Sequence, residues 1–149
     1  MNVQIRWTPP KRFDGTAPSG ASLVLDARPE SGGTGAGPSP MEAVLMALAG
    51  CTGVDVVDIL QKMRAPLGGL AITVAAERGA EHPRVFTKIH LQYAVCGVGL
   101  GRDQVERAVS LSQEKYCSVS AMLRRSADLT YEIALSEEAP TPGGAEAAG

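Results

Sequence analysis

The sequence predicts an α+β domain made of antiparallel strands and one unusually long helix. Three observations carry that prediction. A long, mostly apolar run from Ala43 to Val57 lies directly behind a helix-start signal. The strand-like segments alternate on one side only, as in an antiparallel sheet covered by helices on a single face. The elements follow the order β-β-α-β-β-α-α-β, without the βαβαβ repetition of a parallel doubly wound sheet. With 149 residues, the chain is long enough for one domain with a sizeable core, or for one subunit of an intertwined oligomer. One domain is expected over 1–136, followed by a disordered tail over 137–149.

In the N-terminal part, "NVQIRW" alternates and places Val3, Ile5 and Trp7 on one face. "ASLVLDA" reads as a second strand after the turn-rich "DGTAPSG". "PESGGTGAGPSP", from Pro29 to Pro40, is a glycine-rich loop. It has neither the Lys-Ser/Thr ending of a P-loop nor the strand–turn–helix frame of a dinucleotide fingerprint. The first helix then starts with Ser39 as N-cap, Pro40 at the first helical position and Glu42 completing an S-x-x-E box. It should run to Met63, stopped by Pro66 and Gly68-Gly69. Its first half is apolar all round, so it must be enclosed on several sides. One chain offers too few strands to do this, and an obligate dimer is the simple remedy.

"LAITVAAE" and "RVFTKIHLQYAV" follow as strands. In the second, Val85, Ile89, Leu91, Tyr93 and Val95 share one face, and Phe86, Lys88, His90 and Gln92 the other. A second helix is expected with Asp103 as its cap and Val105, Ala108, Val109, Ser112 and Tyr116 as its inner stripe. It should end near Cys117, after which Ser118 caps a short helix "VSAMLRR" and "LTYEIAL" forms the last strand.

Composition excludes several classes. Hydrophobic residues make up 44% of the chain, charged residues 20%, and the net charge is −2. No basic surface calls for nucleic acid or anionic lipid. The N-terminus lacks the apolar core of a secretory signal. Charged residues at Glu42, Asp55 and Asp58 hold the apolar run below the roughly 20 residues a bilayer requires. The expected compartment is the cytoplasm, with no nucleic-acid or membrane partner. Three cysteines without a CxxC pair argue for reduced thiols, and with two histidines a zinc site is not indicated.

Two of those cysteines attract attention. Cys51 lies mid-helix between Gly50 and Gly53, although glycine inside a helix costs about 1 kcal/mol relative to alanine. A buried cysteine is ordinarily a small packing hydrophobe, and the glycines could serve close helix packing. Cys117 stands at a helix junction, where a helix N-terminus favours the thiolate. Two such thiols suit a cycle in which one forms a sulfenic acid and the other condenses with it. Spacing in sequence does not decide between packing and chemistry. Cys96, at a strand end, reads as non-catalytic, and His90, Glu114 and Lys115 read as solvated.

"GPSPMEAVLMALAGCTGVDVVDILQKM" and "SQEKYCSVSAMLRRSADLTYEI" together resemble the OsmC/Ohr family, the osmotically inducible and organic-hydroperoxide-resistance proteins. The likeness is to the branch typified by YhfA, through "SPME" and "VDVVDILQKM", and covers Gly37 to Leu135. It implies an OsmC-like fold in which antiparallel sheets wrap two long central helices of an intertwined homodimer, with active sites at the interface. It implies thiol-dependent reduction of organic hydroperoxides, with Cys51 peroxidatic and Cys117 resolving. Reductants would be a small dithiol or a lipoylated protein, and no metal or flavin cofactor is implied. An arginine held by a glutamate would activate Cys51, and the positions that match are Arg28 and Glu42. In the family pattern that glutamate follows the proline directly. Here Met41 intervenes, which turns the side chain by about 100° and leaves the capping box as an alternative role. The alternative function within the same fold is a redox-sensing or small-ligand-binding dimer.

Overall fold

The computed structural model describes residues 1–138, so most of the tail expected over 137–149 lies outside the described residues. Two compact units are present, Met1–Met46 and a second beginning at Ala47.

The first unit carries an antiparallel sheet in the order β1 (Gln4–Thr8), β2 (Arg12–Thr16), β3 (Ser22–Leu25). This is one strand more than the sequence indicates. Asp14, Gly15 and Thr16 read as turn residues, yet they pair with both neighbours. The Arg12 guanidinium next to Asp14 neutralises the strand's charge and holds its carboxyl below the ordinary range, first through their hydrogen bond. Val3, Ile5 and Trp7 remain exposed, at 75, 55 and 58%; the sheet buries no apolar face of its own.

The glycine-rich segment is built around a buried carboxylate. Asp26 is 1% exposed and accepts from the backbone N–H of Ala27, Thr34 and Ala36 and from the Thr34 hydroxyl. These bonds, the Thr34 hydroxyl foremost, lower its pKa to about 2. The chain passes so close to itself that a Cβ on Gly33 would stand 1.9 Å from the Ala27 carbonyl oxygen, so only glycine fits. The loop ends at α1 (Pro40–Lys62), within one residue of the predicted helix.

The second unit holds a sheet in the order β4 (Gly69–Arg78), β5 (Phe86–Cys96), β6 (Asp128–Ser136). β4 and β5 are antiparallel, whereas β6 lies parallel to β5. The expectation of purely antiparallel sheets is corrected here. The helices α2 (Arg102–Leu111) and α3 (Ser118–Leu123) provide the long crossover that a parallel pair requires. Buried residues of this unit include Leu48, Val56 and Leu60 of α1, Ile89, Leu91, Tyr93 and Val95 of β5, and Val105, Ala108 and Val109 of α2. The alternation read for β5 holds from Ile89 onward. Phe86 is 6% exposed and Val85 47%, the reverse of the expectation. A register shift between Glu77 and Arg78 leaves Arg78 opposite Phe86 and Glu77 opposite Lys88, and such a bulge moves the preceding side chain to the other face.

α1 buries one stripe, Leu48, Thr52, Val56 and Leu60, while Val54 is 71% exposed. The described chain therefore encloses this helix on one side rather than on several. By length and composition the helix would suffice to cross a bilayer, more than the interrupted apolar run suggested. Its buried stripe nevertheless carries Thr52, tied by hydrogen bonds to β5 and to the segment after α2, as in the core helix of a folded domain. The glycines divide. Ile72 Cδ1 stands 3.3 Å from where a Gly53 Cβ would be, whereas nothing lies within 4 Å of one on Gly50.

Candidate functional site

The segment after α2 does not continue as α-helix. Ser112–Tyr116 form a π-helical turn, and the Cys117 N–H donates to the Ser112 carbonyl at 2.8 Å. A π turn holds one more residue than an α turn and rotates the side chains beyond it. Ser112 thus stays buried as the stripe predicted, but Tyr116 is 50% exposed, and Gln113 and Cys117 are buried at 4 and 2% exposure. Helix starts are shifted too. Gly101 caps α2, its N–H donating to Gln104 Oε1 at 3.2 Å, in place of Asp103. Cys117 caps α3, its sulfur accepting from the Ser120 N–H at 3.4 Å, in place of Ser118.

The π turn brings Cys117 to the middle of α1. The Sγ atoms of Cys51 and Cys117 and a carboxylate oxygen of Asp55 all lie within 4.8 Å of one another. Cys51 and Asp55 are four residues apart, one helical turn, and so share a face of α1. All three cysteines are free thiols. Cys51 is half-buried and Cys117 buried. Burial raises the Cys117 pKa above the ordinary thiol value; Ser120 donors oppose this and neighbouring Cys51 adds to it. The expectation that a helix N-terminus would make Cys117 a ready thiolate is thus reversed: desolvation outweighs the Ser120 side-chain and N–H bonds at the start of a six-residue helix. Cys96 is buried at the end of β5 and does not join the cluster.

Behind the thiols runs a polar network that the sequence did not announce. Ser112 Oγ donates to Asp55 Oδ2 at 2.9 Å. Since its proton is committed there, Ser112 accepts from Thr52 Oγ1 at 2.8 Å, and Thr52 in turn accepts from Tyr93 OH at 2.7 Å. Gln113 Nε2 donates to Tyr93 OH at 2.7 Å and to Thr52 Oγ1 at 3.2 Å. Arg124 donates to Gln113 Oε1 at 3.1 Å. One assignment at Asp55 orients every link, from the Arg124 cation to the Asp55 carboxylate. Tyr93 has its pKa raised, burial outweighing its bonds with Thr52 and Gln113. The chain ties Thr52, beside Cys51, and Gln113 of the π turn to Tyr93 of β5. Asp55 also lines an open cleft of about 440 Å³ with Ile59, Met63, Leu111, Lys62 and Arg107.

Glu42 and Arg28 belong to the first unit, where they form an ion pair. Glu42 serves both roles the sequence left open. Oε1 accepts from Arg28, while Oε2 accepts from the Ser39 N–H and hydroxyl, both at 2.8 Å. The Glu42 N–H completes the box to Ser39 Oγ at 3.3 Å. Arg28 first, then Ser39, lowers the Glu42 pKa to about 2. The extra residue, Met41, does not part the acid from Arg28, because the two carboxylate oxygens divide the work. Asp55, Thr52, Tyr93, Ser112 and Gln113 were missed. The available signal was Thr52 and Asp55, polar residues at one and four positions beyond Cys51 in an otherwise apolar run.

Known proteins share the fold. The family model described as OsmC-like protein matches residues 33–132. Protein YhfA of Escherichia coli K12 is 42% identical over 135 residues, covering 89% of this chain and 98% of its own length. A crystal structure of a hypothetical protein from Aquifex aeolicus is similar at 30% identity and a TM-score of 0.76, covering 91% of this chain and 97% of that one. An organic hydroperoxide resistance protein OsmC from Legionella pneumophila shares the fold at 17% identity and a TM-score of 0.67, with 89% and 95% covered. This chain belongs to the OsmC family.

Proposed function

We propose that the protein is a thiol-dependent peroxidase for organic hydroperoxides, acting in defence against oxidative stress. The observation that carries this reading is the convergence of a half-exposed Cys51 on a buried Cys117, with Sγ atoms within 4.8 Å. The Cys51 thiolate attacks the terminal oxygen of ROOH, the O–O bond breaks, and the alkoxide takes a proton to leave as alcohol. Cys51 is now a sulfenic acid, and the thiol of Cys117 displaces its hydroxyl as water to form the Cys51–Cys117 disulfide. The sulfurs must close to about 2.05 Å. A small dithiol or a lipoylated protein then restores both thiols. The asymmetry of exposure supports this order, because the accessible sulfur meets substrate and the desolvated one waits as a thiol.

Arg28, paired with Glu42, is the cation this reading assigns to Cys51 activation. The apolar residues of α1 around Cys51 do not form one wall, since Leu48 is fully buried and Val54 is exposed. The cleft beside Asp55, with Ile59, Met63 and Leu111, offers an alkyl tail better cover. The reading includes a cytoplasmic homodimer. The exposed stripe of Gly50 and Val54 on α1, and the exposed Ile5 and Trp7, support a second copy as cover. A second reading, a redox-sensing or ligand-binding dimer, is favoured by the Asp55 carboxylate beside the two sulfurs, which disulfide chemistry does not use.

Reduced protein mixed with one equivalent of cumene hydroperoxide should lose two thiols, and turnover should continue on added dithiol. Cys51→Ser should abolish peroxide consumption, while Cys117→Ser should trap the sulfenic acid. Equal slow consumption by wild type and Cys51→Ser rejects the peroxidase. A stoichiometric response without turnover selects the sensor.

A further inference from the structure

We propose that reduced Cys51 and Cys117, together with Asp55, chelate a thiophilic divalent cation of the zinc class, so that metal binding and oxidation compete for the same two sulfurs. The competition rests on the peroxidase or sensor reading; the chelation rests on geometry alone. Three donor atoms lie within 4.8 Å of one another. Zinc bonds of about 2.3 Å to sulfur and 2.0–2.2 Å to oxygen require them to draw closer by about 1 Å, within reach of side-chain rotation. Cys51 and Asp55 supply two ligands one helical turn apart, the spacing that helical metal motifs use to aim two side chains at one ion. The π turn brings in the third.

Disulfide chemistry accounts for the two sulfurs but not for the carboxylate. Ionised, the two sulfurs would bear an electrostatic cost beside the Asp55 carboxylate, and among the described residues of this unit no Lys, Arg or His forms an ion pair with it. Arg107 lines the same cleft without pairing, and Arg124 acts only from the far end of the hydrogen-bond chain. A divalent cation would turn that cost into binding energy. The surroundings are those of a ligand shell: Ser112 Oγ donates to Asp55 and the Ser120 N–H to Cys117 Sγ. Ser120 is fully buried, and its Oγ adjoins the Cys117 sulfur with no other hydrogen-bond partner among the described residues. A metal-bound thiolate at Cys117 would accept its proton. Two thiolates with one carboxylate suit a borderline-soft cation and leave a fourth position for water. Binding releases the two thiol protons to solvent and changes no oxidation state.

Reduced, chelator-treated protein should be titrated with Zn²⁺ against a chromophoric competitor and with Cd²⁺ in the ultraviolet. One ion per chain and a thiolate-to-cadmium charge-transfer band are expected. Cys51→Ser should lose the band, and Asp55→Asn should weaken Zn²⁺ at least tenfold, with thermal melts of the metal-free variants confirming folding. Independently of any variant, saturating Zn²⁺ should slow alkylation of Cys51 in wild type at least tenfold. The disulfide form should bind no ion at this site. Absence of the cadmium band in wild type, Zn²⁺ affinity unchanged in folded Asp55→Asn, or alkylation of Cys51 unaffected by Zn²⁺ would each overturn the chelate. Peroxide turnover enters none of these readouts, so failure of the peroxidase and failure of the metal site are told apart.

Discussion

The first turn of α1 and its middle solve the same problem, the placement of polar groups on an apolar helix, by opposite means. At the first turn the partners are local and charged: Ser39 and Glu42 cap each other, and Arg28 pairs with Glu42. In the middle the partners are distant and mostly neutral. Thr52 meets Tyr93 and Ser112, forty-one and sixty positions away, and the chain ends on Asp55. The charged arrangement is half-exposed, with Glu42 at 38% side-chain exposure, and water screens it. The neutral arrangement is buried, and each unmade bond there costs its full desolvation. On α1, charge therefore stands where water reaches it, and hydroxyls stand where it does not.

The largest effect should come from breaking the buried arrangement at its hub. Thr52→Val keeps the side-chain volume but leaves Tyr93, Ser112 and Gln113 each short of a partner. We expect a loss of about 2–3 kcal/mol in urea unfolding, whereas Thr52→Ser, which keeps the hydroxyl, should cost under about 1 kcal/mol. A Thr52→Val loss no larger than that of Thr52→Ser would show that the network adds nothing beyond packing.

The contrast also explains what was legible. The capping box, the α1 boundaries and the alternation from Ile89 to Val95 are local patterns, and local patterns survive into the fold. Cys51 and Cys117 stood out by their places in mid-helix and at a helix junction, Glu42 as a cap, and Arg28 through family resemblance; their catalytic roles belong to the proposed function. Phe86 was misplaced because a bulge is set by the register of the partner strand. Tyr116 was misplaced because one π turn is enough to rotate a stripe. The parallel pairing of β6 is decided by where the α2–α3 crossover delivers the chain, and alternation within a single strand carries no trace of that. Asp55, Ser112 and Gln113 became a site only through contacts across more than fifty positions.

The first turn should break with acid instead. Glu42 and Asp26 both hold pKa values of about 2 in the folded chain, against about 4 for free carboxylates. A depressed carboxyl stabilises the fold while ionised. Its contribution is complete above about pH 5 and disappears as the pH falls through about 2. Urea midpoints measured across that window should fall with acid, and Glu42→Gln and Asp26→Asn should each flatten the decline. Neither Thr52→Val nor Thr52→Ser should change its slope, since Thr52 does not titrate. Ser39→Ala, which removes the cap but no charge, should cost about 1 kcal/mol above about pH 5 and less as Glu42 is protonated, because the Ser39 hydroxyl also donates to that carboxylate.

The smallest effects should come from the two glycines beside Cys51, and they read which face of α1 is covered. Alanine in a helix is favoured over glycine by about 0.5–1 kcal/mol. At Gly53 an added methyl would stand 3.3 Å from Ile72 Cδ1, so the intrinsic gain is offset by crowding and Gly53→Ala should be nearly neutral. At Gly50 nothing stands within 4 Å, and in an isolated chain the full gain should appear. In the proposed homodimer, with a second copy lying on this stripe, the methyl would meet the partner helix. Gly50→Ala should then raise the concentration at which the dimer dissociates, measured by sedimentation equilibrium, while Gly53→Ala should leave it unchanged. A Gly50→Ala protein that gains about 0.5–1 kcal/mol and dimerises as tightly as wild type would move the second copy off this face of α1.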